Sequence, residues 1–311
     1  MTHVISADYL LLGNGGEGDA GGGTVIVLKC HATKVVTAVP LPSKGATDVN
    51  VHVVADAVVS FGQSHVAFRN DGEPSLKALM SKVADEMRRR EIGVMQLTEE
   101  QTVAYDSNSA GAAESAGKTV QGIARSLLSS VQEKAGGTVP ARSHFLTWLL
   151  RHAGWCHSSS QIGVDGRTPF QRQRGGDAHD LRLPHIGETV LAKIRTRGKM
   201  SARWKETVFL GVKENSMEKV VADEESVFYT RSLRRLPPLQ AFSLDLISSV
   251  VHPSWSPHAK VSLEADVIPH DFVSPPPPPA AIVPVVERSV AIKRMMIRRA
   301  DLQRFGYTQG C

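Results

Sequence analysis

Apolar residues along this chain recur in two rhythms, and the order of those rhythms outlines a fold. Residues 3–12 carry Val4, Ile5, Tyr9, Leu10, Leu11 and Leu12 around a single acid, Asp8, and read as a strand. Residues 13–23 hold seven glycines with no Gly-Lys-Ser/Thr after them, so the segment reads as a turn between strands and not as a phosphate loop. The runs TVIVLKC (24–30) and KVVTAV (34–39) continue as hairpin strands. A helix capped by Thr47 or Asp48 then runs through Val59 and stops at Gly62. HVAF (65–68) is a short buried strand leading to Arg69-Asn70-Asp71-Gly72. Glu73-Pro74 open a second helix to about Arg90, with proline tolerated in the first turn. IGVMQL (92–97) reads as a further strand, and 98–113, rich in Ser, Asn, Ala and Gly, as a mobile loop.

A long helix is expected from Ala113 to about Lys134, with Val120, Ile123, Leu127 and Val131 on its buried side. Glu114, Lys118, Gln121 and Arg125 recur at steps of four, three and four and share its polar face. Another helix, about 142–158, carries Phe145, Trp148, Leu149 and Trp155. Three strands, helix, strand, helix, strand and two helices make an α/β arrangement, a mixed sheet with helices packed on it. Across 180–236 the texture changes to short β runs, ETVLAKI, TVFLGV, KVVAD and SVFYTRSL, which suggest a small β-barrel or sandwich. From 237 the chain is proline-rich, with five consecutive prolines at 275–279, and reads as an extended linker or tail.

Composition narrows the function classes. The 311 residues are 41% hydrophobic and 22% charged, enough apolar side chain for a core. The net charge of +5 is a mild bias toward polyanionic partners, while only 5% aromatic residues speaks against base-stacking platforms. Trp204 and Phe209 read as core. Cys30, Cys156 and Cys311 are widely spaced and odd in number, which favours a reducing compartment over a disulfide framework. They also offer no structural zinc site. His152 and His157 flank Cys156 on the predicted helix, where packing explains them better than metal binding. No apolar run is long enough for a membrane span, and the first residues lack the pattern of a signal peptide.

The candidate chemistry lies in three acids. Phosphodiester cleavage or joining is an in-line displacement at phosphorus that two divalent ions can assist. Magnesium takes carboxylate oxygens and needs few protein ligands. Asp8 sits inside an apolar strand, where an unpaired charge is costly. Asp71 directly follows a second apolar strand, and Glu114 falls in the first turn of a long helix. Singly, each has an ordinary explanation: an edge-strand acid, an Asp-Gly turn, a carboxylate favoured by the helix dipole. Their order of strand, strand, helix is the signal.

That order, with Asp8-Tyr9, Asn70-Asp71-Gly72-Glu73-Pro74 and Gly111-Ala112-Ala113-Glu114, resembles the ribonuclease H-like core of retroviral and retrotransposon integrases. The resemblance departs in detail. Asn70 replaces a Ser common before the second Asp, Asn108-Ser109-Ala110-Gly111 is a loosened Asn-Gly-x-x-Glu pattern, and the 42 residues between Asp71 and Glu114 (72–113) exceed the viral spacing. Gly166-Arg167-Thr168-Pro169-Phe170 resembles the Gly-x-Thr-Pro element that closes the core in retrotransposon members, and the β-rich stretch after it resembles their small SH3-like domain. The segment Arg298-Arg299-Ala300-Asp301 through Thr308 resembles the linker that follows integrase in copia-like polyproteins.

The resemblance implies a ribonuclease H-like core over 1–175 with a mixed five-stranded sheet and flanking helices. It implies a small β-rich DNA-binding domain over 180–236 and a proline-rich, disordered tail over 237–311. It further implies Asp8, Asp71 and Glu114 as catalytic acids holding two Mg2+ or Mn2+ ions, and 3′-end processing and strand transfer of DNA. Element-end and target DNA would be the partners, with a homo-oligomer, no membrane, and action in the nucleus or a cytoplasmic particle. Lys118, Gln121 and Arg125 would face DNA, as would the acid-free basic strip Lys193, Arg195, Arg197, Lys199, Arg203 and Lys205. Family members usually carry a His-His-Cys-Cys zinc module ahead of the core. Its absence from this sequence is the expectation that makes the chain a fragment of a Pol polyprotein, a degraded copy or a repurposed core. An inactive, integrase-derived nucleic-acid-binding protein is therefore the alternative function, and another nuclease or transposase on the same fold is a third.

Overall fold

Strand β1 (His3–Leu11) alternates its side chains between two helical layers, and this one strand organises the molecule. Ile5 and Ala7 are buried in a cluster with residues of helices α1 (Asp48–Ser60) and α2 (Pro74–Arg89). Leu10, of opposite parity, packs on a cluster built from α3 (Ser107–Ala135) and α4 (Phe145–Ser160). The computed structural model describes residues 3–11, 23–63, 65–70, 73–90, 99–101, 107–176, 178, 182–195 and 200–257.

β1 pairs antiparallel with β2 (Thr24–Cys30), and β2 antiparallel with β3 (Val36–Leu41). On its other side β1 pairs parallel with β4 (Val66–Asn70), which pairs parallel with β5 (Glu99–Gln101). The sheet order is β3-β2-β1-β4-β5. This is the expected mixed five-stranded sheet with flanking helices. β2 and β3 are buried on both faces, which is why they read as continuous apolar runs and not as alternating ones.

Local signals explain the boundaries. Thr47, not Asp48, caps α1, its hydroxyl accepting from the Asn50 N–H at 3.3 Å. Pro74 opens α2, where its missing N–H costs nothing. The stretch read as loop 98–113 instead contains β5 and the first two turns of α3. Ala110, Ala112 and Ala113 are strong helix formers, and the single Gly111 costs only about 1 kcal/mol, so the helix extends backward through the small polar residues. The strand expected at 92–97 lies outside the described residues. Thr168 and Gln171 form a reciprocal capping box that starts α5 (Pro169–Arg174), so the Gly-x-Thr-Pro element is a helix start.

One edge of the sheet is β3, and α4 closes it. The Ser158 hydroxyl accepts from the Val36 N–H at 2.8 Å and donates to the Val36 carbonyl at 2.9 Å. Two residues on, Gly154 brings α4 against the Ala38 backbone. A Cβ there would sit 2.7 Å from the Ala38 nitrogen. Pro40 has no N–H to offer.

A second sheet of antiparallel strands follows: β6 (Thr189–Lys193), β7 (Trp204–Val212), β8 (Lys219–Ala222), β9 (Val227–Thr230) and β10 (Leu233–Arg235), in the order β10-β6-β7-β8-β9. One side, Val208, Leu210, Val220 and Ala222, joins the same apolar cluster as α3 and α4. The joint depends on a bulge in β7 at Gly211, whose φ of +136° suits glycine. A Cβ there would meet the His152 ring at 3.3 Å. Across the sheet, buried Glu188 accepts from Arg235 Nε at 2.6 Å and Nη2 at 2.7 Å, tying β10 to the start of β6.

Residues 238–257, read from sequence as the start of a linker, pack on this body. A 3-10 turn (Pro238–Gln240) leads to α6 (Leu244–Ser248), Ile247 and Val250 are buried in the shared cluster, and the Trp148 indole donates to the His252 carbonyl at 2.8 Å. Two buried apolar anchors, Ile247 and Val250, outweigh a modest proline content here. The five-proline run and the remainder of the tail lie outside the described residues.

Candidate active site

Asp8 is half-buried and pairs with Val27 in β2. It shares parity with Ser6 and Leu10, so it faces the α3 layer. α3 crosses above it: a Cβ on Gly117 would lie 3.9 Å from the Val27 side chain, opposite Asp8 in the sheet. Ala113, Ala116, Val120 and Ala124 form the buried stripe of α3.

Glu114 is the eighth residue of α3 and not in its first turn, so the helix dipole does not account for it. It is exposed and lies one turn before Lys118, whose ammonium donates to it at 2.7 Å. That lysine draws the Glu114 pKa down and has its own raised in return. With both side chains more than half exposed, the pair adds little stability and is easily exchanged for another ligand. Gln121 is half-buried and Arg125 exposed on the same face. Lys118, Gln121 and Arg125 thus lie on the solvent side of the helix that also presents Glu114.

β4 ends at Asn70, and Asp71 lies outside the described residues. Among the described residues no three His, Cys, Asp or Glu side chains are grouped to hold a metal. The parallel ladder reaches Ser6↔Arg69, so the last residue of β4 lies one step further along, toward the Asp8 level of β1.

Three partners of Ser6, which shares a face of β1 with Asp8, are not legible in the sequence: Lys29, Arg69 and His31. Lys29 pairs with Ser6 from β2, and Arg69 pairs with Ser6 from β4, so two cations flank Ser6 in one row across the sheet. The Lys29 ammonium is 3.5 Å from the Ala112 carbonyl near the start of α3, and burial, then Lys34, lowers its pKa. The Ser6 hydroxyl is 2.7 Å from His31 Nε2. Only strand register reveals this row, because its members lie far apart in sequence.

The basic strip is partly described. Lys193, at the end of β6, pairs with Trp204 and is exposed, as are Arg195 and Arg203. Lys205 is engaged by Asp223 at 2.8 Å, which raises its pKa. Arg197 and Lys199 lie outside the described residues. Strand pairing adds a cation the linear strip omits: exposed Arg234 of β10 places its guanidinium 4.2 Å from the centre of the Trp204 ring. Phe209 is core as expected, whereas Trp204 is only partly covered and carries Arg234 on its face.

The His152–Cys156–His157 group is a packing feature. His152 is almost wholly buried, stacked on Trp155 at 5.4 Å and edge-on to Phe209, and burial pushes its pKa down to about 4. The Cys156 thiol is pushed up to about 11, the opposite of a reactive thiolate. Among the described residues no helix is long and apolar enough to cross a membrane.

No protein-family model matches the sequence, and no curated protein does. Among solved structures, the chain is similar to the catalytic core domain of HTLV-2 integrase in complex with magnesium. The trimeric form aligns at a TM-score of 0.39 with 11% identity, over 56% of this chain and 97% of that one. The dimeric form aligns at 0.38 with 11% identity, over 56% and 96%. A chain of the simian T-cell lymphotropic virus intasome in complex with PP2A regulatory subunit B56 gamma aligns at 0.37 with 14% identity, over 76% and 82%.

Proposed function

We propose that this chain is a retrotransposon integrase, of the copia-like type and part of a Pol polyprotein, that processes DNA 3′ ends and transfers them to target DNA. The observation that carries this reading is the placement of Asp8 on the α3-facing side of β1, beneath the helix that bears Glu114, in a sheet of order β3-β2-β1-β4-β5. Asp71 directly follows in sequence Asn70, the end of the strand beside β1. The three acids supply hard oxygen donors and no soft ones, the donor set that suits Mg2+ or Mn2+. Asp8 and Asp71 would hold one ion and Asp8 with Glu114 a second, supplying activation of the attacking oxygen and stabilisation of the leaving one.

The remaining roles fall to this chain's cations. Lys118 releases Glu114 and joins Gln121 and Arg125 on DNA phosphates. Lys193, Arg195, Arg197, Lys199, Arg203 and Lys205, with Arg234, hold the backbone without reading sequence. The meander β6–β9, with β10 returning beside β6, supports an SH3-like reading of the β-rich domain over 180–236. The protein acts as a homo-oligomer, in the nucleus or in a cytoplasmic particle.

Strand transfer of a labelled element end, with magnesium or manganese, tests the reading. Asp71→Asn is expected to abolish the product while leaving the melting temperature unchanged; undiminished transfer by that variant overturns the assignment. A second reading, an inactive DNA-binding derivative, is favoured by one observation, the Glu114–Lys118 ion pair that occupies the third acid. It predicts salt-dependent DNA binding with no metal-dependent product from the unaltered chain.

A further inference from the structure

A cavity of about 410 Å³ opens at the β3 edge of the first sheet, two strands away from β1 and Asp8. Its walls come from α1, β3, α4, the β7–β8 turn and residues 254–257. The volume falls in the range of small-ligand sites. What distinguishes it is an imbalance of partners. Arg90, in the wall with Asp56, is engaged by Asp56 at 2.5 Å and by Glu86 at 2.6 Å. Among the described residues Lys213 has no carboxylate at ion-pair distance, although its charge lowers the Glu218 pKa, and its ammonium stands 4.8 Å from the centre of the Tyr229 ring. Arg151 reaches Glu214 through Nε alone, at a long 3.5 Å, with its guanidinium 6.0 Å from the centre of the Trp148 ring, and among the described residues no hydrogen bond occupies its two terminal nitrogens. Burial raises the Tyr229 pKa, the Arg151 charge opposing that shift and Glu218 adding to it. Lys213 and Arg151 thus line one pocket together with the aromatic side chains of Tyr229 and Trp255.

We propose that this cavity binds a phosphate monoester carried on a flat heterocycle, a single nucleotide in size. The chemistry follows from the donors. The guanidinium fork and the ammonium match the oxygens of a tetrahedral anion, and the rings offer a stacking surface for the base. Glu214 is the built-in competitor, since it shares Arg151 with the incoming anion. The same phosphate chemistry has two sources, a free nucleotide or the 5′-phosphorylated end of a strand. Neither requires divalent metal or the three acids, so the site stands or falls independently of the transferase reading.

The test is equilibrium binding to the full chain in EDTA, using dAMP, a short 5′-phosphorylated oligonucleotide, its dephosphorylated twin and inorganic phosphate. Binding of dAMP or the phosphorylated strand, with at least tenfold weaker binding of the dephosphorylated strand, is expected. Preference between the first two identifies the source. Lys213→Met should weaken binding about tenfold, equivalent to about 1.4 kcal/mol, without lowering the melting temperature of the free protein. Glu214→Gln should tighten it, which a merely structural role for these residues would not produce. Absence of binding by dAMP and by the phosphorylated strand at millimolar concentration overturns the proposal. So does equal binding of both strands, or binding indifferent to Lys213→Met and Glu214→Gln.

Discussion

Replacing Arg235 with alanine would strand a buried charge, and the structure sets the scale of the damage. Glu188 is 1% exposed. Its oxygens accept from Arg235 Nε at 2.6 Å and Nη2 at 2.7 Å, and from the His185 N–H at 3.0 Å. The substitution removes two of these three donors and the only cation in the set, but leaves the carboxylate where it is. Breaking one side of a buried pair costs about 3–5 kcal/mol. The Arg235 side chain is 57% exposed, so water can enter the vacated space, and the lower bound of about 3 kcal/mol is expected. For a unit of this size each kcal/mol moves the melting temperature by about 2–4 °C, so calorimetry should show a fall of about 6–12 °C. Urea denaturation of Arg235→Ala/Glu188→Gln should recover more than half of the loss, because the stranded charge is then gone. A loss below about 1 kcal/mol, with no recovery on the second change, would mean the carboxylate finds other solvation and the pair acts as a surface pair.

Other outcomes follow from single contacts. Gly154→Ala should destabilise strongly or displace α4 from the sheet, since the new Cβ would lie 2.7 Å from the Ala38 backbone nitrogen; melting temperature and tryptophan fluorescence report it. Burial lowers the His152 pKa from 6.5 to about 4. The unfolded chain therefore takes up a proton below about pH 6.5 that the folded chain refuses until about pH 4, so stability falls with falling pH across that window. His152→Gln should flatten the slope between about pH 6.5 and pH 5, above most carboxylate titration; an unchanged slope would rule the group out. Arg234→Ala should weaken DNA binding uniformly across sequences and reduce the salt slope by about one, as read by fluorescence anisotropy at several salt concentrations.

The sequence was most readable where local chemistry decides. The strand–helix order, a cap at Thr47 or Asp48, the Pro74 start and the polar stripe of α3 all follow from residues within one or two turns of each other. It was least readable where distant segments meet. Arg234 escaped notice because it lies thirty residues beyond Trp204 (204 to 234) and joins it only through β10–β6–β7 pairing. Lys29 and Arg69 flank Ser6 only through register. Glu114 was seated in a first turn because Ser, Asn and Gly before it look like a breaker, while the alanines among them keep the helix going. Ile247 and Val250 hide in a proline-tinged segment whose pattern is too short for periodicity to register.

The closing of the β3 edge by α4 also sets a schedule for synthesis. Val36 and Ser158 are 122 residues apart, so the hairpins of the first sheet are complete long before the helix that seals them has been made. Until Gly154 and Ser158 arrive, the outward backbone groups of Val36 and Ala38 are available to any other nascent strand. A chain cut short before α4 should hence collect in aggregates, and the same piece supplied with α4 as a separate peptide should remain dispersed. The helix that completes the fold is also, during its making, the chain's guard against its own copies.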